Sequence, residues 1–174
     1  DITAHLDTPP SDNSAVDGYV VYFGDLAEEG ETTLPIAGRI AAGHPLDRPA
    51  KPGEALQIFT GAPVPTGKNG SGPDTIFMVE DCQVTENSVT LPAGIKRGAN
   101  LRRAGEDVKA GTVVLRAGAR LRPPDIAMAA SLGLSDIPVY RRLKAAVFST
   151  GDEVREPGTP LDAGCIYDAN RFAI

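Results

Sequence analysis

The first half of the chain places its apolar residues in short runs, each bounded by Gly, Pro or Asp. Runs of this length with turn residues between them are typical of β-strands and are too short for helices. They predict a series of short strands in antiparallel pairing. The predicted strands cover residues 19–23, 34–40, 55–59, 75–79 and 89–91.

Two other stretches differ from these runs. Residues 1–16 are polar and contain Pro9 and Pro10, so we expect an extended segment with turns that another part of the chain holds in place. Residues 105–115 join a Gly-Glu-Asp turn to a β-branched run. That combination predicts a β-hairpin.

The pattern changes again after residue 120. Pro123 and Pro124, then Asp125, an apolar run and finally Gly133 are the start and stop signals of an α-helix. Residues 137–140 predict a short extended piece. Residues 144–148, Lys-Ala-Ala-Val-Phe, have the near-continuous apolar character of a strand that is buried on both faces of a parallel sheet.

Composition favours a globular, turn-rich chain and argues against nucleic acid as a partner. Of the 174 residues, 41% are hydrophobic and 23% charged, and 19 Gly with 15 Pro indicate many turns. The net charge is −6 and the basic residues form no stripe that could neutralise a run of phosphates. We therefore expect a β-rich body for which nucleic acid is an unlikely partner.

Cysteine, histidine and hydropathy set further limits. Cys82 and Cys165 are far apart and match no metal spacing, which predicts buried thiols in a reducing compartment. His5 and His44 are too isolated for a zinc site or a catalytic triad. No apolar run approaches the roughly 20 residues that cross a bilayer, and no signal-like start is present, so we expect a cytoplasmic protein.

The polar residues after the last predicted strand are the first candidates for a ligand site. In open parallel sheets, ligands bind beyond the carboxyl ends of the strands. Ser149 and Thr150 offer hydroxyls there, and Gly151 allows a close backbone approach. Asp152 and Glu153 can serve a cation or position a hydroxyl. The same residues also suit a capped turn with solvated carboxylates, and spacing alone leaves both interpretations open.

Two loops of the β-rich part are weaker candidates. Residues 59–67, FTGAPVPTG, form a stiff loop after a predicted strand, but its prolines lack the N–H donors of a phosphate cradle. Residues 11–19, SDNSAVDGY, are dense in short polar side chains and predict a turn with local hydrogen bonds. Asp107 is a turn residue by the same argument.

Four stretches taken together resemble a known family. They are residues 11–19, residues 59–65 (FTGAPVP), residues 102–107 (RRAGED), and residues 149–153 with 166–170 (STGDE and IYDAN). Their order and approximate spacing resemble those of the MoeA family, to which the E domain of gephyrin also belongs. The likeness runs from about residue 8 to the last residue. The combination is highly specific, although each motif alone is weak.

The resemblance implies a role in the last step of molybdenum cofactor synthesis. Members of this family insert molybdate into the dithiolene of adenylylated molybdopterin, release AMP and require Mg²⁺. The chain resembles the family's N-terminal and linker region plus the first strand and turn of the molybdopterin-binding domain. The resemblance thus implies a transferase of which this chain is an incomplete part.

The resemblance also implies a set of site residues and partners. Functional carboxylates are matched by Asp17, Asp107 and Glu153, whereas contacts to the pterin and its phosphate are matched by Thr60, Ser149, Thr150 and Gly151. The carboxylates suit either Mg²⁺ or the N–H donors of a pterin, and no residue is assigned to the metal. The family forms a homodimer with its active cleft between subunits, and a MogA-like molybdopterin adenylyltransferase is a further expected partner.

The expected architecture is a mixed α+β fold. A β-rich domain covers residues 18–110, the N-terminal and linker part with the helix covers residues 1–17 and 111–141, and residues 142–174 begin an α/β molybdopterin-binding domain. Without neighbouring strands, residues 144–148 would expose an apolar edge that favours association. Two alternatives therefore stay open, a non-catalytic dimerisation or scaffolding module and a generic small-molecule binding domain.

Overall fold

The computed structural model describes all residues 1–174 and divides them into two compact units, Asp1–Ile137 and Pro138–Ile174. The fold is mixed α+β and rich in short strands, as the sequence predicts. The finer division at residues 17, 110 and 141 stays a prediction.

The first unit holds ten strands and one α-helix. The five strands predicted from the apolar runs are all present, with ends that differ by a few residues. The strands are β1 (Ile2–Thr3), β2 (Asn13–Ser14), β3 (Gly18–Val21), β4 (Thr32–Ile40), β5 (Ala55–Ile58), β6 (Thr75–Met78), β7 (Gln83–Val84), β8 (Ser88–Leu91), β9 (Leu101–Arg102) and β10 (Val113–Leu115).

Six of these strands form one sheet in the order β6-β3-β5-β4-β8-β7. Strand β3 lies between β5 and β6 and is antiparallel to both. Strands β4 and β5, however, are parallel, so the expectation of antiparallel pairing throughout is wrong at this pair. The reason is the connection, because residues 41–54 exceed the dozen or so residues that a chain needs to cross over and return in the same direction.

The sheet is buried on both faces. Successive residues of a strand point to opposite faces, and Tyr19 and Val21 belong to one apolar cluster while Val20 belongs to the other. The second cluster also contains Ile58, whose side chain is fully buried. Burial on both faces holds the register of the strands, because a slip by one residue would exchange the two sets of side chains.

The N-terminal segment is tied to the chain between residues 101 and 115. Strand β1 pairs with β10, and β2 pairs with β9, both antiparallel. The predicted hairpin over residues 105–115 is therefore wrong. Its β-branched run pairs with residues 2–3 instead, and a bridge between Thr8 and Val108 continues the contact along the extended N-terminal segment.

Helix α1 (Pro123–Ser131) confirms the helix predicted from its end signals. The Asp125 carboxylate accepts a hydrogen bond of 2.8 Å from the N–H of Arg122, which satisfies one free donor at the helix start. Gly133 has a φ of 77°, and Leu134 N–H donates to the carbonyl of Ala129. This left-handed glycine ends the helix as predicted.

The second unit is small and contains parallel strands β11 (Val154–Arg155) and β12 (Ile166–Tyr167) and helix α2 (Asn170–Ala173). The predicted buried strand at residues 144–148 is wrong, since these residues have no regular secondary structure and Phe148 is 80% exposed. A strand needs hydrogen-bonding neighbours, and none of the strands in the structure pairs with this segment. Neither α-helix has the length and apolar character of a membrane-spanning segment.

The backbones of β3 and β6 approach each other closely at Gly18. A Cβ atom at Gly18 would lie 1.7 Å from the carbonyl oxygen of Phe77. We expect Gly18→Ala to lower the free energy of unfolding by about 3 kcal/mol, since the strands must separate to admit the methyl group. Gly24→Ala is the matched control, because a Cβ at Gly24 meets nothing within 4 Å. Urea unfolding of both variants checks this, and equal midpoints would contradict the close approach.

Candidate functional site

Asp17 and Thr60 are in direct contact. The Asp17 Oδ1 atom accepts a hydrogen bond of 2.8 Å from the Thr60 N–H and one of 2.7 Å from the Thr60 hydroxyl. These two bonds lower the pKa of Asp17, so the carboxylate is ionised at neutral pH. Its other oxygen, Oδ2, accepts no hydrogen bond from the protein. The pair thus presents an exposed, oriented oxygen that can take a ligand.

The strands place these two residues at one end of the sheet. Asp17 precedes β3, whose Gly18 pairs with Ile58 at the end of β5, and Thr60 follows β5 by two residues. Gly61 has a φ of 76° and donates its N–H to the Ser14 carbonyl at 2.8 Å. The turn that carries Thr60 is therefore held against the segment that leads to Asp17.

Three of the four stretches that resemble the MoeA family meet here. The N–H of Ser14 donates to the carbonyl of Ala62, and the N–H of Val64 donates to the carbonyl of Asp12. Residues 13 and 14 also pair with Arg102 and Leu101. Residues 11–19, 59–65 and 102–107 thus form one hydrogen-bonded region of the first unit. The fourth stretch lies in the second unit.

Asp12 joins the first of these stretches to the third. Its Oδ1 atom accepts the Ala104 N–H at 2.8 Å and its Oδ2 atom accepts from the Arg103 guanidinium at 2.7 Å. Partial burial by itself raises the pKa of Asp12, but the bonds from Ala104 and Arg103 outweigh it and the pKa is lowered. The carboxylate is thus a charged tie between residues that are distant in sequence.

Asp107 is neutralised by a neighbour and does not contact the Asp17–Thr60 pair through a hydrogen bond. Its Oδ1 atom accepts a hydrogen bond of 2.6 Å from Arg102, which also contacts Glu106 at 3.4 Å. The bond to Asp107 raises the pKa of Arg102. Asp107 therefore belongs to an arginine–carboxylate cluster in the third of these stretches.

The second unit contains a cleft of about 500 Å³. Ser149, Thr150 and Glu153 all line it, as the resemblance implies for a ligand pocket. Gly151 lies in the same loop with a φ of 148°, a conformation that L side chains rarely adopt. A Cβ there would lie 2.5 Å from a carboxylate oxygen of Glu153. The glycine therefore lets the Glu153 carboxylate fold back over the loop.

Asp168 and Arg171 line the same cleft, although the sequence did not single them out as site residues. Asp168 is only 7% exposed, and its carboxylate lies 3.5 Å from the Arg171 guanidinium. Arg171 also pairs with Glu156 at 2.8 Å. The signal was present, because Asp168 lies in the stretch IYDAN that contributes to the resemblance.

The remaining candidate groups, metal ligands and thiols, provide no further reactive site. No group of three or more His, Cys, Asp or Glu side chains is arranged to hold a metal ion. Cys82 and Cys165 are free thiols, but both are half-buried, so the prediction of buried thiols is only approximate. Burial raises the pKa of Cys82 to about 11, with the nearby Asp81 and Glu80 adding to the effect. That thiol is therefore protonated and unreactive at neutral pH.

Known proteins resemble the chain along its whole length. The family model of the MoeA N-terminal region (domain I and II) matches residues 1–133. The chain is 42% identical to a molybdopterin molybdenumtransferase of Haemophilus influenzae and 41% identical to molybdopterin molybdenumtransferase 2 of Mycobacterium tuberculosis, over 100% of its own length. The solved structure of the molybdopterin biosynthesis MoeA protein of Pyrococcus horikoshii matches with a TM-score of 0.86 and 31% identity over 99% of the chain.

The chain is shorter than the proteins that it resembles. It spans 42% of the length of each of the two relatives and 46% of the Pyrococcus horikoshii chain. The regions that match include all the residues implied as site residues from Asp17 to Glu153.

The Asp12 tie generates a pH prediction. Because the pKa of Asp12 is lower in the folded chain than the usual value of about 3.9, its charge stabilises the fold above that pH, and the contribution is lost as pH falls through the folded pKa. We expect Asp12→Asn to cost about 1 kcal/mol at pH 7, after allowing for solvent screening, and less at pH 3. Unfolding free energies from pH 3 to 7 check this. Asp47→Asn, at an exposed residue without a hydrogen bond, should show no such trend, and a pH-independent cost for Asp12→Asn would contradict the tie.

Proposed function

Because this chain belongs to the MoeA family, whose N-terminal region (domain I and II) its residues 1–133 match, we propose that it is part of a molybdopterin molybdenumtransferase. The reaction is the insertion of molybdate into adenylylated molybdopterin with release of AMP. The observation that carries the proposal is the hydrogen-bonded convergence of residues 11–19, 59–65 and 102–107 around an exposed carboxylate. A convergence of this kind builds a site on rigid backbone.

The Asp17–Thr60 pair is the centre of the proposed site in the first unit. Thr60 orients the carboxylate and lowers its pKa, and Oδ2 is left to accept an N–H of the pterin or to bind a cation. Asp107 is the second proposed carboxylate, and its pairing with Arg102 sets where that guanidinium points its remaining donors. These donors suit an anionic part of the substrate.

The cleft of the second unit supplies the other proposed contacts. The hydroxyls of Ser149 and Thr150 are exposed at its wall and can donate to a phosphate or to the pterin. Gly151 keeps the backbone free of a side chain that would crowd Glu153. The Glu153 carboxylate accepts no hydrogen bond within the protein and so retains both oxygens for a ligand.

Mg²⁺ is the metal that the family resemblance implies, and the residues fit it. Mg²⁺ usually keeps several waters and is bound through one or two carboxylates together with substrate phosphates, so it does not require a cage of protein ligands. In the first unit, Asp17 with its free oxygen is the residue that would hold the ion, together with waters and the phosphates of the substrate. When bound, the ion would offset the charge of the anionic substrates and polarise the phosphoanhydride.

The proposed assembly is a homodimer that works in the cytoplasm and receives its substrate from a MogA-like molybdopterin adenylyltransferase. Asp17 and Thr60 are both exposed, so the site in the first unit is an open surface and not an enclosed pocket. Reactions of this type need water to be excluded. An open surface therefore supports a cleft that a second subunit helps to close.

The Asp17 carboxylate generates the activity prediction. In the full-length protein we expect Asp17→Ala to lower molybdenum insertion about 100-fold, because a preorganised charged group is lost, and Thr60→Ala to lower it less, since the carboxylate remains but is no longer oriented. Asp47→Ala is the control at an exposed aspartate without a hydrogen bond. The measurement is the yield of molybdenum cofactor from purified substrates. Normal yield from Asp17→Ala would remove this residue from the site.

A non-catalytic association module is the second candidate function. The observation that favours it is the apolar surface of the second unit, where Tyr140 is 85% exposed, Leu143 is 97% exposed and Phe148 is 80% exposed. Surfaces of this kind mark interaction sites. Sedimentation of the 174-residue chain across a wide concentration range tests it. We expect self-association that Leu143→Ser combined with Phe148→Ser weakens, and a chain that stays monomeric throughout would count against this function.

A further inference from the structure

Arg39 differs from most arginines of the first unit because it has no acidic partner. Ion pairs hold Arg48 to Glu54, Arg97 to Asp74, Arg102 to Asp107, Arg103 to Asp12 and Arg122 to Asp125. Arg39 makes no ion pair and donates no hydrogen bond. Its guanidinium carbon instead lies 4.4 Å from the centroid of the Phe59 ring. The side chain is thus held in place while all five of its N–H donors stay free.

The strand register brings Arg39 to the same end of the sheet as the Asp17–Thr60 pair. Arg39 on β4 pairs with Gln57 on β5, and Phe59 is two residues further along, on the same face of the sheet as Gln57. Gly18 on β3 pairs with Ile58, so Asp17 comes opposite Phe59 on the neighbouring strand. By strand order and register, Phe59 therefore comes between Arg39 on β4 and Asp17 before β3, and the three residues belong to the same face of the sheet.

This arrangement suits a ligand that carries both an anionic group and either N–H donors or a bound cation. The free Oδ2 of Asp17 takes N–H donors or a cation, and the planar fork of Arg39 takes a tetrahedral oxyanion through paired hydrogen bonds. The Phe59 ring reduces the freedom that Arg39 must lose on binding, because the guanidinium is already placed. A lysine could not replace it fully, since an ammonium group lacks the fork.

We propose that Arg39, positioned by Phe59, is a further substrate-contacting residue that binds the oxyanion of the ligand held by Asp17 and Thr60. The inference rests on the proposed function and extends it from carboxylates to a cationic contact. Two substrates of that reaction carry oxyanions, molybdate and the phosphate groups of adenylylated molybdopterin, and Arg39 binds one of them. Arg39 acts by binding and positioning and takes no part in bond making.

The test compares Arg39→Gln and Arg39→Lys with the wild type in the full-length protein. Arg120→Gln is the matched control, because Arg120 is also exposed and without an ion pair but belongs to the loop between β10 and α1, outside the six-stranded sheet. KM is measured separately for molybdate and for adenylylated molybdopterin. We expect Arg39→Gln to raise KM about tenfold for one of the two, which identifies the oxyanion, with kcat changed about twofold or less. The KM of Arg39→Lys should lie between those of the wild type and Arg39→Gln, and the KM of Arg120→Gln should equal that of the wild type.

Phe59→Leu tests the positioning step. Loss of the ring frees the guanidinium but keeps its charge, so KM for the same substrate should rise by a smaller factor than in Arg39→Gln. Urea midpoints of all variants are measured alongside. If the change in KM is matched by a comparable loss of stability in Arg39→Gln, and Arg39→Lys restores neither, the residue only covers the ring and the inference is wrong.

The inference and the proposed function fail in different ways. If Asp17→Ala is inactive while Arg39→Gln has wild-type KM for both substrates, the function stands and the inference is overturned. If the wild type inserts no molybdenum, the function fails, and Arg39 is then tested by calorimetric titration with molybdate and with AMP. Weaker binding of either probe by Arg39→Gln than by the wild type would support an oxyanion contact, whereas equal affinity for both probes would overturn it.

Discussion

The backbone hydrogen bonds of residues 12–15 are the constraint on which the rest of the site depends. This short segment donates to and accepts from the loop at residues 61–64 on one side and from residues 100–104 on the other. Buried backbone groups are costly to leave unpaired, so each of these bonds fixes where a chain segment can run. Remote parts of the sequence are thereby joined, and Asp12 adds a charged tie at the same place. These bonds hold the loop that carries Thr60 against the segment that leads to Asp17, so the two residues are brought into contact.

The six-stranded sheet makes that framework rigid. Apolar clusters cover both of its faces, so strands β3 and β5 cannot slip without exposing their side chains. Gly18 allows β3 and β6 to approach at the point where the chain leaves the site residue. The consequence is that Asp17, Thr60 and Phe59 project from strand ends whose positions are set by the core. Sites supported in this way keep their geometry without a bound ligand.

Charge is distributed unevenly around the site. Most exposed carboxylates and guanidinium groups of the three convergent stretches are paired with each other, as Arg102 with Asp107 and Arg103 with Asp12 show. Against this background, the free oxygen of Asp17 and the unpaired guanidinium of Arg39 are exceptions. Surface ion pairs contribute little to stability, so pairing alone does not explain the pattern. Asp17 and Arg39 are the two unpaired groups to which the proposed site assigns a ligand.

Local signals in the sequence determined the elements and the family. The apolar runs predicted the main strands, and Pro123, Asp125 and Gly133 predicted helix α1, because these signals act over a few residues and do not depend on the rest of the fold. The candidate site residues also came from sequence, through motifs whose order identifies the family. In the structure Asp17 contacts Thr60, and Ser149, Thr150 and Glu153 line one cleft, while their functional roles stay a prediction.

Only the tertiary structure decided which segments pair and which charges stay free. The hairpin expected at residues 105–115 gave way to pairing with residues 2–3, β4 and β5 proved parallel, and residues 144–148 form no strand. Arg39 gave no signal in the sequence, because the residues around a lone arginine do not show whether its side chain is paired or free. Asp168 lay within the stretch IYDAN, but its burial could not be inferred from the sequence. Strand pairing and charge pairing join residues that are far apart in sequence, and for that physical reason the local pattern specifies the elements, whereas the partners follow only from the folded chain.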